Sequence, residues 1–228
     1  VAYRAFSDVA GKGAFFLVTV LAARLLSAQG FGIFSLGTTL GWMAAVVADF
    51  GIALHVARDV ARRRDHARNI LGFWLRVRLA TSAAMLLVAT IGLALTGARP
   101  EVTALWLFVL VYVVSGLIEF LYYFYRGLSR SDLESTMTLW HRFAMLVLAA
   151  AALVWMADVT TLALAMLLPG LVTLAISLRI AFALSGQERT TANLPAQSFL
   201  SDVMPIGLGI VLSALYFRID VFLIEVWK

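Results

Sequence analysis

Eight ionisable side chains inside long apolar runs of this sequence stand out as candidates for chemistry: Lys12, Arg24, Asp49, Glu119, Arg142, Asp202, Arg218 and Asp220. A charge in hydrocarbon is costly, so such residues ordinarily face a partner, a water-filled cavity or a ligand. The arginines have a further capacity, because the planar fork of guanidinium N–H donors matches phosphate oxygens bidentately. Asp49 and Glu119 would suit a basic partner or a coupling cation instead. Thiolate metal sites and disulfides are excluded by zero cysteines, and the three histidines have no HExxH spacing. No metal and no cofactor is expected. Asp49-Phe50-Gly51 spells a kinase metal-binding triplet but lies in an apolar run with no catalytic-loop HRD sequence. Gly11-Lys12-Gly13 and Gly30-Phe31-Gly32 lack the third glycine and the preceding strand of a phosphate-cradling loop.

The elements that must position these charges follow from composition. With 62% hydrophobic and 14% charged residues and a mean hydropathy of +0.94, the chain reads as an all-α, polytopic transmembrane bundle rather than a soluble domain. Seven runs are long enough to cross a hydrocarbon core of about 30 Å: residues 9–26, 31–57, 70–96, 104–125, 137–157, 160–184 and 200–227. They lack the period-two alternation of a barrel, so helices are the assignment that satisfies their backbone in lipid. Gly30 and Gly32 are expected to separate the first two spans, residues 97–100 the third and fourth, and residues 193–195 the last two. Ser131 followed by Glu134 fits a capping box at the start of span five. Gly37 and Gly41 form a GxxxG, a sign of close helix packing without chemical meaning.

The net charge of +5 is a matter of topology, not of nucleic-acid binding. Arg58, Arg62, Arg63, Arg64 and Arg68 follow span two, Arg126 and Arg130 follow span four, and Arg189 follows span six, whereas the other side has Arg24 and Arg99 near its loops. Cationic connections stay cytoplasmic, so the N-terminus is expected in the cytoplasm. The Arg62 to Arg64 run reads as a solvated cytoplasmic turn that is also able to touch anionic headgroups.

A shift of 194 residues places Ser7, Asp8 and Val9 on Ser201, Asp202 and Val203, Gly13 on Gly207, Leu21 on Leu215 and Arg24 on Arg218, with Val18 on Leu212 and Thr19 on Ser213 between them. Internal repeats of this kind build many transporters. On this reading residues 1–190 form a six-helix lobe and residues 191–228 open a second one that continues beyond Lys228. An unpaired seventh helix would otherwise bury only one face.

Several short stretches carry a family resemblance: Leu21-Ala22-Ala23-Arg24-Leu25-Leu26, Gly30-Phe31-Gly32-Ile33-Phe34, Ala48-Asp49-Phe50-Gly51 with Arg58 beyond, Tyr125-Arg126-Gly127-Leu128, and Tyr216, Arg218 and Asp220. In these the chain resembles the polysaccharide, or oligosaccharide-lipid, flippases, whose members commonly have 12 to 14 spans in two pseudo-symmetric lobes. The resemblance implies alternating-access transfer of undecaprenyl-pyrophosphate-linked sugar units across a bacterial inner membrane. The partners it implies are the lipid-linked oligosaccharide, the bilayer and other polysaccharide-assembly proteins, with no nucleic acid and no enzymatic reaction. Saccharide and pyrophosphate cannot cross hydrocarbon alone, so a polar, cationic cavity is expected between the lobes. The candidate substrate-binding residues are Arg24, Arg218, Lys12, Asp49, Arg142 and Asp220, with Arg24 and Arg218 at equivalent depths as a clamp on the pyrophosphate.

Each candidate also has a plain structural use. Arg24 lies about 24 Å along its helix from Asp8, near the outer interface, where arginine snorkels. Lys12 is one turn from Asp8, an ordinary i,i+4 pair. Asp49 serves equally as a cap or as the partner of a base on another helix, and Glu119 and Arg142 as an interhelical pair. Two other functional classes share parts of this pattern. A drug/cation antiporter would place acids rather than bases in the cavity. A polysaccharide polymerase or ligase would need a large outer loop, and the outer connections span only a few residues.

Overall fold

The computed structural model describes residues 2–95, 100–186, 204, 207–210 and 212–213. All the regular structure among them is helical: α1 (Ala2–Leu25), α2 (Ala28–Asp49), α3 (Ile52–Arg62), a single 3-10 turn (Arg64–His66), α4 (Ala67–Leu95), α5 (Pro100–Gly127), α6 (Ser131–Trp155) and α7 (Val159–Leu184). Six of these α-helices, all but α3, are long and apolar enough to cross a membrane. The seventh expected span, residues 200–227, and the second lobe it would open fall mostly outside the described residues; Gly207 packs directly on Phe50.

The helices start and stop where local chemistry dictates. The first break falls at Ser27, whose hydroxyl accepts the Gly30 N–H at 3.1 Å, so Gly30 and Gly32 lie within α2 rather than between spans. Asp158 does the same for α7, accepting the Thr161 N–H at 2.8 Å. The expected capping box at Ser131 is absent although α6 does begin there. Glu134 turns away to a tertiary partner, Arg126, which offers a charged fork where a lone backbone amide would offer one N–H.

A second difference bears on the interior. The run of residues 31–57 is not one span: α2 stops at Asp49, and Phe50 (φ 43°) and Gly51 (φ 81°) both turn into the left-handed region before α3 begins. The apolar character of Ile52, Ala53, Val56 and Val60 hides the break in the sequence, because these residues form the buried stripe of a short amphipathic helix. Its arginines lie outside that stripe. Gly51→Ala is expected to cost about 1 kcal/mol, since a Cβ strains that backbone; thermal unfolding in detergent reads it as a lowered midpoint.

The core is organised around α5, which touches α2, α3, α4, α6 and α7. Phe108, Phe120, Leu121, Phe124 and Tyr125 are fully buried along it, and the Tyr125 hydroxyl donates to the Ser177 carbonyl of α7 at 2.6 Å. α2 lies against α5 through Gly37 and Gly41: a Cβ on Gly41 would stand 2.8 Å from the Phe108 carbonyl oxygen. Small residues permit this approach, as expected of a GxxxG stripe. α1 packs mainly on α6 and touches α2 little. The pairs α1–α6 and α2–α5 therefore splay apart, and polar side chains collect between them.

Candidate functional site

That cleft holds a cavity of about 600 Å³, adjoining a recess of about 440 Å³. Lys12 and Phe15 of α1, Tyr112, Ser115 and Glu119 of α5 and Arg142 of α6 line both. The larger cavity adds Trp42 and Asp49 of α2, Ala53 of α3 and Arg78 of α4, and Ile210 reaches its wall. The recess adds Asp8, Tyr122, Arg126, Glu134, Thr138 and His141. Three arginines, one lysine and four acids thus face one space enclosed by apolar helices, with His141 beside them. In lipid, that placement is expected of groups meeting water or a polar ligand.

Helix packing sets these charges. Gly11 lets α1 come close to α6, with a notional Cβ only 3.3 Å from Arg142 Cγ. Asp49 closes α2 and uses its carboxylate twice on the break that follows, accepting from Gly51 N at 3.2 Å and Ala53 N at 3.3 Å. It also stands 3.7 Å from Arg78 Nε. Asp49 is therefore both a cap and the partner of a base on another helix. At the edge of the recess, Glu134 is nearly buried and pairs with Arg126, while Arg4 Nε lies 3.8 Å from it. The Arg126 guanidinium also stacks over the Tyr123 ring, 4.2 Å from its centre. One carboxylate so joins the start of α1, the end of α5 and the start of α6.

Of the residues singled out from sequence, Lys12, Asp49 and Arg142 come together on the cavity, and Glu119 with them. Lys12 and Asp8 share the wall without an ion pair within 4.0 Å, and so do Glu119 and Arg142. Arg24 lies elsewhere, exposed in the last turn of α1, about 14 Å along the helix from Phe15. Arg218, Asp220 and Asp202 lie outside the described residues. The structure adds Arg78, Arg126, Glu134 and His141, none of which was among the candidate binding residues. Arg78 left a readable signal: it stands eight residues past Ile70, well inside the third apolar run.

A bundle of spanning helices that shelters a charged cavity is the architecture of a polytopic membrane protein. Residues 1–227 match the family described as polysaccharide biosynthesis protein. The chain belongs to that family. No curated protein and no solved structure matches it.

Proposed function

We propose that the protein is a lipid-linked oligosaccharide flippase, moving undecaprenyl-pyrophosphate-linked sugar units across the bacterial inner membrane by alternating access, with its N-terminus in the cytoplasm. The observation that carries this reading is the shared cavity. Lys12, Arg78 and Arg142 bring three bases to a space flanked by spans, where a sugar and a pyrophosphate would shed little hydration energy uncompensated. Family membership supports the cargo class at the level of polysaccharide biosynthesis. The arginine-rich connections support the orientation. Arg24, with Arg218, remains the proposed second grip for the pyrophosphate, with Asp220 beside it in sequence.

One observation favours the antiporter reading. Glu119 projects into the cavity with no ion pair within 4.0 Å among the described residues, as a carboxylate for a coupling cation would. Complementation separates the two. The complete gene is introduced into a flippase-deficient strain, beside Arg142→Ala and the pair Arg24→Ala and Arg218→Ala, with membrane insertion of each verified. Surface polysaccharide is expected to return with the wild type and to fall about tenfold or more with Arg142→Ala. Wild-type protein that inserts but restores nothing would end the flippase reading. Full rescue by the paired Arg24→Ala and Arg218→Ala variant would end the clamp, and full rescue by Arg142→Ala would end the cavity's part in transport.

A further inference from the structure

Arg78 is the most deeply buried charge in the described chain, 1% exposed on α4. Its seat is made by Gly116 of α5, where a Cβ would lie 2.6 Å from Nη2. A side chain larger than hydrogen at that point would push the guanidinium out. Burial of this kind calls for full pairing, because each charged donor left unmet costs more than a neutral one. Yet Nε and Nη1 have no hydrogen-bond partner among the described residues. The nearby carboxylate, Asp49, stands 3.7 Å from Nε, which balances charge but is too long for a hydrogen bond. Its oxygens are turned to the Gly51 and Ala53 amides instead.

Arg78 thus borders the 600 Å³ cavity with its charge neutralised and with Nε and Nη1 covered but unspent. What would complete it is a group with several anionic oxygens, small enough to enter and able to take two N–H donors at once, which describes a phosphate or pyrophosphate. Lys12 of α1 and Arg142 of α6 face the same space and add charge of the same sign. Glu119 of α5 opposes them.

Resting on the flippase reading, we propose that Arg78 grips the pyrophosphate of the cargo and that Asp49 is its internal competitor. Phosphate oxygens take Nε and Nη1 and draw Arg78 from Asp49, which keeps its hold on the α2–α3 break. The exchange has a sign that a purely structural pair lacks. Removing the Asp49 charge should strengthen anion binding, because the arginine no longer has a rival carboxylate. Asparagine still caps a helix start, so Asp49→Asn spares the break.

The test is calorimetric titration of the full chain in phosphatidylcholine nanodiscs. One arm adds inorganic pyrophosphate, and a second uses discs carrying undecaprenyl pyrophosphate. Asp49→Asn is expected to tighten both by roughly tenfold, and Arg78→Lys, which loses the fork, to weaken both by about as much. The charge-neutral double variant Arg78→Gln with Asp49→Asn keeps the interior balanced and is expected to lose the binding. Unchanged or weaker binding by a folded Asp49→Asn protein overturns the exchange. Tightening for free pyrophosphate alone overturns the lipid headgroup as its ligand. Failure of wild-type complementation with the Asp49→Asn effect intact sinks the flippase reading and not the anion site; rescue without that effect does the reverse.

Discussion

Arg126→Gln is expected to lower stability by about 3 kcal/mol, among the largest effects of any single change in the described chain. The loss comes less from the attraction removed than from what stays behind. Glu134 is 3% exposed, and without the fork of Arg126 its charge would be left to Arg4, which is 3.8 Å away and more open to solvent. Glu134→Gln beside Arg126→Gln should recover much of that loss, because two neutral amides can face each other where one buried carboxylate cannot stand alone. Thermal unfolding of the single and double variants in detergent gives the comparison. A double variant no more stable than Arg126→Gln would show that the pair's value lies elsewhere, for instance in the stacking on Tyr123.

Gly41→Val is expected to cost about 3 kcal/mol and to spoil the cavity as well. Its new atoms would meet the Phe108 carbonyl oxygen and Tyr112, each 2.8 Å from the notional Cβ, and a backbone atom cannot rotate away as a side-chain tip can. α2 must then move off α5. Tyr112 and Trp42 line the cavity from these two helices, so the same displacement reshapes the ligand space. Gly32→Ala provides the contrast. Nothing lies within 4 Å of its notional Cβ, and alanine is the better helix former by about 1 kcal/mol, so this variant should be neutral or slightly stabilising. Equal losses at Gly32 and Gly41 would refute close packing as the reason for the stripe.

The spanning helices were legible because hydrocarbon demands long apolar runs, and Pro100, Ser131 and Leu184 bound theirs within a few residues of expectation. The break after Asp49 was not, because Ile52, Ala53 and Leu54 continue the apolar run while switching from a lipid-spanning helix to an amphipathic one. Its signal was Gly51, whose left-handed backbone glycine tolerates best. Lys12, Asp49 and Arg142 were legible as charges that interrupt apolar helices. Arg78 was legible in the same way, eight residues past Ile70, but it follows the arginine-rich stretch that begins at Arg58, where each further arginine is easily read as another interfacial anchor. Glu134 was assigned to a cap three residues back, since local spacing does not reveal that Arg126, eight residues back on another helix, is the better partner. Which charges meet is a property of how α1, α2, α5 and α6 splay, and that depends on packing contacts such as Gly11 on Arg142 and Gly41 on Phe108.

The central claim is that the space between α1, α2, α5 and α6 is a water-accessible compartment that the cargo occupies. The absence of any native cysteine allows a direct measurement. Ser115→Cys places a thiol on the cavity wall, and Val147→Cys places one on the outward face of α6, where Val147 is 49% exposed. Both are treated in proteoliposomes with a membrane-impermeant maleimide, with and without undecaprenyl-pyrophosphate-linked sugar. The account predicts that Cys at 115 is labelled, that Cys at 147 is not, and that the lipid-linked sugar slows the labelling at 115. Equal resistance at both positions, or labelling at 115 indifferent to the cargo, would contradict it.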